Sequence, residues 1–401
     1  MITETQKYQR KELELKALLE ITQAINENKT EAVLLDIFKF TCLVHLNIKS
    51  LVLYVAKNNA FEKKIAHAIR GNVPKLISNA DVIEERATHK LEMKLGEEYS
   101  FNELEIYVPV YHKDRLLSIL LIKRKDDSEA LDLDFTQALT NILVVALENK
   151  RLARKNTEQQ ILNREVAIAS QVQQMLFPAE LPTEKHLKAK VTYMPHSLVG
   201  GDYYDLIRKS EEEVYFCIAD VSGKGISAAL LMSNFQATLR TLLRSDADLK
   251  MVVNQLNFTL FENTHGERFI TFFLGYYNLK THDLYFVNAG HNPPLLCKDG
   301  EAESLNAGTT ILGAFDELPF LEIGKRENMT EFTIHLYTDG VTEAMNPKDE
   351  EYGEERLQEF VERNMTIDPD DFHRKFLKEI EEFSQNVPLR DDLTMLSLKF
   401  G

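Results

Sequence analysis

The segment FCIADVSGKGISAALLMS, Phe216 to Ser233, carries an apolar stretch into two glycines and a lysine and then into a helical pattern. Loops that cradle phosphate on backbone N–H groups share that order. Asp220 does not suit such a loop, because a carboxylate at its mouth repels the phosphate. The Walker pattern G-x-x-x-x-G-K-[ST] is missing as well. The segment reads better as a strand that delivers a carboxylate to its end, with Gly223 and Gly225 allowing a ligand close to the backbone.

Three other stretches repeat that setting. Asp202 lies in VGGDYYDL (Val199–Leu206), Asp339 in LYTDGVTEA (Leu336–Ala344), and Asp391 and Asp392 in LRDDLTMLSL (Leu389–Leu398). Each adjoins a short apolar strand, at the edge where side chains from different strands can converge. A single strand-end aspartate is usually a turn residue or a helix cap, but four in one pattern point to a cluster. Two carboxylates about 4 Å apart repel by about 4 kcal/mol at an effective dielectric of about 20, so a cluster needs protons or cations. Lys224 and Arg390 could supply part of the charge. Hard divalent cations such as Mg²⁺ or Mn²⁺, which prefer oxygen ligands, do so better.

Composition narrows the classes. The 401 residues, 44% hydrophobic, can fill two or three ordinary cores. With 63 acidic against 47 basic residues and a formal charge of −16, a nucleic-acid partner is not expected. The start, MITETQKYQRKELELK, is polar and lacks the apolar core of a signal peptide. The apolar runs, such as LLSILLI at 116–122, fall well short of the roughly 20 residues of a membrane span. Cys42, Cys217 and Cys297 are scattered and form no C-x-x-C pair, which suits reduced thiols and a cytoplasmic address.

Leu15, Leu18, Ile21 and Ile25 recur at helical spacing, and a second helix is expected from Thr30 as N-cap. Strands follow at 50–56 and on either side of a turn at His112–Arg115, with Pro109 marking an edge or a bulge. DFTQALTNILVVALENKRLARKN is helical again. Residues 1–148 therefore read as a small α+β module, and the order resembles a GAF-like sensor domain. The N-K-x-D-E pattern of cyclic-nucleotide-binding GAF domains is not found, so no ligand is implied. Across 149–184 the helix continues as a linker, with Leu162, Val166, Ala169, Val172 and Leu176 on one seam and Pro178 as its stop. That seam could lie on its own domain or form a parallel dimeric coiled coil, which would make the chain a homodimer. From about 190 the texture turns to short strands with turns, as in a two-sheet core with helices outside.

VGGDYYDL, IADVSGKGISAALLMS, FITFFLGYYN, NAGHNPPLL, LYTDGVTEAMNP and RDDLTMLSLKF occur in this order. In that order they resemble PPM-type metal-dependent serine/threonine phosphatases of the SpoIIE/RsbU branch, over residues 185–401. The resemblance implies an α/β/β/α sandwich of two antiparallel sheets flanked by helices. It implies a centre of two Mn or Mg ions, held by Asp202, Asp220, the Val221 carbonyl, Asp339 and Asp391, with Asp205 and Asp392 as adjacent alternatives. Asp391 is preferred over Asp392 because it aligns with the first aspartate of the family motif. A water activated between two metals would then attack phosphoserine or phosphothreonine directly, on a protein substrate of the STAS-type anti-sigma-factor-antagonist class.

Two departures stand out. Ser222 occupies the position where eukaryotic relatives keep a histidine, and no N-terminal arginine for the phosphate can be located, which leaves Lys224 as a candidate. His291, in the NAGHNPPLL turn, reads as a structural hydrogen-bonding residue. Thr338 and Thr342 read as supports of the Asp339 loop, Ser227 with Ala228 and Ala229 as the start of a helix, and the phenylalanines of FITFF as core. Two other classes compete: a non-catalytic partner-binding module that keeps the fold, and a nucleotide enzyme prompted by GGD at 200–202. Tyr203 stands where a cyclase needs an acidic residue, which argues against the second.

Overall fold

The computed structural model describes residues 4–70, 73–78, 89–90, 104–125, 131–181, 183–184, 186–245 and 247–401. The first three residues of the polar N-terminus and Lys185, at the expected domain boundary, lie outside that set. The chain divides into two units, Met1–Gln160 and Ile161–Gly401.

In the first unit α1 (Glu4–Asn26), α2 (Glu31–Val44) and the beginning of α3 (Leu133–Gln174) accompany a six-stranded antiparallel sheet. Its strands are β1 (Ile48–Lys57), β2 (Ala60–His67), β3 (Leu76–Ser78), β4 (His89–Lys90), β5 (Ile106–His112) and β6 (Arg115–Arg124), in the order β3-β2-β1-β6-β5-β4. The Thr30 hydroxyl accepts from Val33 N at the start of α2, as its position before an apolar periodic run requires. Alternation sends Leu51 and Leu53 to the helices, with Leu34, Phe38 and Leu143, and Val52 and Tyr54 to the opposite face. Pro109 pairs with Ile119, and the register shifts directly afterwards at Val110/Tyr111, where a bulge was expected.

α3 runs 42 residues without a break. It contains no glycine or proline, so nothing in its backbone chemistry marks the boundary expected at 148/149.

The second unit has two sheets. One holds β9 (Tyr203–Arg208), β10 (Glu213–Val221), β11 (Ile270–Asn278) and β12 (Asp283–Ala289), with β15 (Gly308–Thr309) and β16 (Gly324–Arg326) both pairing with β12. The other holds β7 (Thr183–Glu184), β8 (Leu187–Met194), β13 (Leu295–Lys298), β14 (Glu301–Ser304), β17 (Phe332–Tyr337) and β18 (Leu393–Phe400). All pairings are antiparallel except the two-residue contact of β12 with β15. Phe216 and Ile218 of β10 point between the sheets, to Leu336, Leu398 and Phe400. Cys217, Ala219 and Val221 point outward to α4 (Ile226–Arg244) and α5 (Leu249–Thr264). On the far side Tyr337 and Met395 pack on α7 (Gly353–Asn364) and α8 (Pro369–Ser384). Helix, sheet, sheet and helix make four layers. The short α6 (Asp339–Thr342) follows β17. Among the described residues no helix is long and apolar enough to cross a membrane.

Candidate metal centre

Antiparallel pairing brings the aspartates together. Asp202 immediately precedes β9 and Asp220 is the penultimate residue of its neighbour β10, so both lie on one edge of the first sheet. Asp339 follows the end of β17 and Asp391 precedes the start of its neighbour β18, which puts both on one edge of the second. Threonines tie the two edges: the Thr338 and Thr394 hydroxyls both donate to Asp202 Oδ2, Thr338 at 2.8 Å. Thr338 Oγ1 in turn accepts from Thr394 N at 3.0 Å. Asp202 is buried with only 1% of its surface exposed, and these hydroxyls fix where its carboxylate sits.

The electrostatics show a deficit of positive charge. Burial, and then the Asp220 carboxylate, hold the Asp202 carboxyl well above the usual range. Asp220 is pushed up to about 7 by burial and by Asp339, Asp391 and Asp392, with Lys224 opposing. Asp339 is raised by burial and Asp391, and Glu343, at the end of α6, by burial and Asp339. Among the described residues no three His, Cys, Asp or Glu side chains stand close enough to hold an ion as they are. Asp391 is turned to Lys224 Nζ at 2.8 Å.

The donors nevertheless suit a hard divalent cation. They are all oxygens, and Gly201 keeps two of them clear. A Cβ at that position would stand 3.0 Å from the Val221 carbonyl oxygen and 3.4 Å from Asp220 Oδ1. Gly223 and Gly225, at φ +96° and +75°, take the backbone conformation that turns the chain from β10 into α4.

The expected alternatives separate. Asp205 does not join the edge: fully buried, it accepts from Arg240 at 2.7 and 2.9 Å and from the Tyr203 hydroxyl. Its partner comes from α4, which spacing within VGGDYYDL cannot show. Asp392 accepts from the backbone N–H groups of His196 and Gly201, each at 2.7 Å, and so holds the loop before Asp202. Asp391 keeps only the N–H of Asp392 and the Lys224 ammonium as hydrogen-bond partners among the described residues.

Other residues take structural parts. Ser222 is bonded both ways to Phe269, its hydroxyl accepting from Phe269 N at 2.9 Å, so it closes the loop. His291 is neutral, its pKa lowered to about 4 by burial. Its Nε2–H donates to Tyr337 O and its Nδ1 accepts from Thr271. Thr342 donates to Asp339 O. Arg390 binds Asp349 at 3.0 Å rather than the cluster. Phe272 and Phe273 are core, whereas Phe269 is 41% exposed beside the loop. Sequence reasoning missed Thr394, Glu343, Gln173 and Arg268. Gln173, in the last turn of α3, donates to Gly200 O at 2.7 Å and accepts from Gly200 N at 3.2 Å. Arg268 donates to Ser222 O at 3.2 Å.

Two antiparallel sheets between helix layers thus carry aspartates at adjoining strand ends. Residues 210–401 match the family model for stage II sporulation protein E, SpoIIE. The phosphoserine phosphatase RsbU of Bacillus subtilis is 30% identical over 245 residues, which are 60% of this chain and 71% of that protein. The phosphoserine phosphatase RsbP of the same organism is 26% identical over 184 residues, 44% of this chain and 45% of its own length. Among solved structures, the PP2C domain of SiaA from Pseudomonas aeruginosa superposes with a TM-score of 0.54 at 19% identity. It covers 61% of this chain and 99% of the domain, a likeness of fold. The chain belongs to the SpoIIE family of PPM-type phosphatases, whose members are metal-dependent hydrolases.

Proposed function

We propose that the chain hydrolyses phosphoserine or phosphothreonine on a signalling protein, with two Mn or Mg ions held by Asp202, Asp220, the Val221 carbonyl, Asp339 and Asp391. The observation that carries this reading is the meeting of four acidic residues from two sheets at a glycine-lined edge, where burial and neighbouring carboxylates raise the pKa values of Asp202, Asp220 and Asp339. Divalent ions bound there would lower the pKa of a water and neutralise charge on the phosphoryl oxygens. The protein supplies orientation. Thr338 and Thr394 fix Asp202, Asp392 anchors the preceding loop, and Ser222 with Phe269 closes the loop after Asp220. His291, neutral and bonded on both ring nitrogens, is not placed to give up a proton.

A STAS-type substrate and cytoplasmic signalling follow from the family resemblance. Regulation would come from residues 1–148, read as a GAF-like sensor, through a linker that pairs with a second copy. Leu162 and Val172 on the expected seam are both 56% exposed, and the Gln173 bonds to Gly200 join the end of that helix to the loop before Asp202. The test is Mn²⁺- or Mg²⁺-dependent release of phosphate from a phosphoserine protein, expected to vanish in Asp220→Ala and Asp339→Ala. Full activity of both variants in EDTA would sink the reading. Equal activity of a 185–401 fragment and the full chain would remove the regulatory part.

A further inference from the structure

Lys224 sits at the tip of the loop between β10 and α4, between two glycines of positive φ. Its side chain reaches across from the first sheet to the start of β18 in the second. There Nζ stands 2.8 Å from Asp391 Oδ2 and donates to Arg390 O at 2.6 Å. It is the cation that eases the charge of Asp220 and Asp339, and it also opposes the rise at Glu343. The other oxygen of Asp391 accepts from Asp392 N at 2.8 Å. That bond is a short local one which a carboxylate can keep while its remaining lone pairs take a cation. The ammonium is different: it occupies Oδ2, and it has a second acceptor in Arg390 O to fall back on. At 56% exposure for the lysine and 31% for the aspartate, the pair is open to water and cheap to exchange.

From this we propose that Lys224 is an internal counter-ion which holds Asp391 until a divalent cation displaces it. The inference rests on the metal reading of the same edge. It assigns Lys224 a positioning role in place of the phosphate-holding role that the sequence left open. Removing the ammonium takes away both a competitor for Asp391 and a repulsive charge, so cation affinity rises. Arg390 is the control. It carries the same charge next to Asp391 in sequence, but its guanidinium lies on Asp349.

The experiment titrates the full-length protein with Mn²⁺, reading the free aquo-ion by electron paramagnetic resonance, for the parent, Lys224→Gln and Arg390→Gln. The expected result is a Kd lowered by about threefold to fivefold in Lys224→Gln, the range an open ion pair allows, with Arg390→Gln close to the parent. An unchanged or raised Kd in Lys224→Gln overturns the proposal, as does an equal tightening in Arg390→Gln, which would mean diffuse charge and no contact at Asp391. A parent protein that binds no Mn²⁺ fails differently, by sinking the metal centre itself and this inference with it.

Discussion

Replacing Asp220 by asparagine should stabilise the metal-free protein while destroying its site. Without a cation, the Asp220 carboxylate is held from the ordinary 3.8 up to about 7 by burial and by Asp339, Asp391 and Asp392. A carboxyl whose folded pKa lies above its unfolded value binds protons more tightly when folded. Its ionisation therefore costs nothing below pH 3.8, costs progressively more as pH rises, and reaches its full cost above about 7. At about 1.4 kcal/mol for each tenfold change in proton affinity, that cost is about 2 kcal/mol at pH 5.5 and about 4 kcal/mol at pH 8. Asn keeps the shape and drops the charge, so the variant should gain about those amounts. The assay is urea unfolding in EDTA followed by far-ultraviolet circular dichroism, since the chain has no tryptophan. Mn²⁺ at a hundred times Kd should add about 2.7 kcal/mol to the parent and little to the variant, which outweighs the variant's advantage at pH 5.5 and narrows it at pH 8. A variant no more stable than the parent at pH 8, or a gain that does not grow with pH, would refute the reasoning.

Arg240→Met should cost about 3–5 kcal/mol, because it strands the buried Asp205 carboxylate. Its Mn²⁺ affinity should stay near that of the parent, and adding Asp205→Asn should restore most of the stability; a loss of Mn²⁺ binding would return Asp205 to the ligand set. Gly201→Ala puts a methyl group against the Val221 carbonyl and Asp220 Oδ1, and calorimetry should show Mn²⁺ affinity reduced roughly tenfold or more. Burial lowers His291 to about 4 and His335 and His373 to about 3. Each is neutral in the fold, so its contribution is complete above pH 6.5 and drains away below it, by up to about 1.4 kcal/mol per pH unit per residue. The fall in urea midpoint between pH 6.5 and 4.5 should therefore be shallower in His373→Gln than in the parent, and an equal slope would count against it.

The sequence was most informative where backbone chemistry and charge coincide. Aspartates beside glycines at strand ends announced Asp202, Asp220 and Asp339, and antiparallel pairing did the rest. The change to short strands and turns from about residue 190 was enough to anticipate two sheets with helices outside. What stayed illegible depends on partners far along the chain. Asp205 shares its stretch of sequence with Asp202, and its pairing with Arg240, 35 residues on, is not legible there. Asp391 and Asp392 both precede β18, and nothing local to them shows that Asp392 accepts from the N–H groups of His196 and Gly201. Thr394 and Gln173 looked like strand and helix filler until their bonds to Asp202 and Gly200 were seen. Phe269 was misread because it opens a run whose later phenylalanines are core, while it ends as an exposed side chain on the Ser222 loop.

The central claim is that this edge holds two divalent ions, and anomalous scattering from crystals soaked in Mn²⁺ tests it most directly. The account predicts two peaks about 3.5–4 Å apart, in contact with Asp202, Asp220, Val221 O, Asp339 and Asp391, with Lys224 withdrawn from Asp391. No peak at this edge, or Mn²⁺ bound at Asp205 instead, would contradict it.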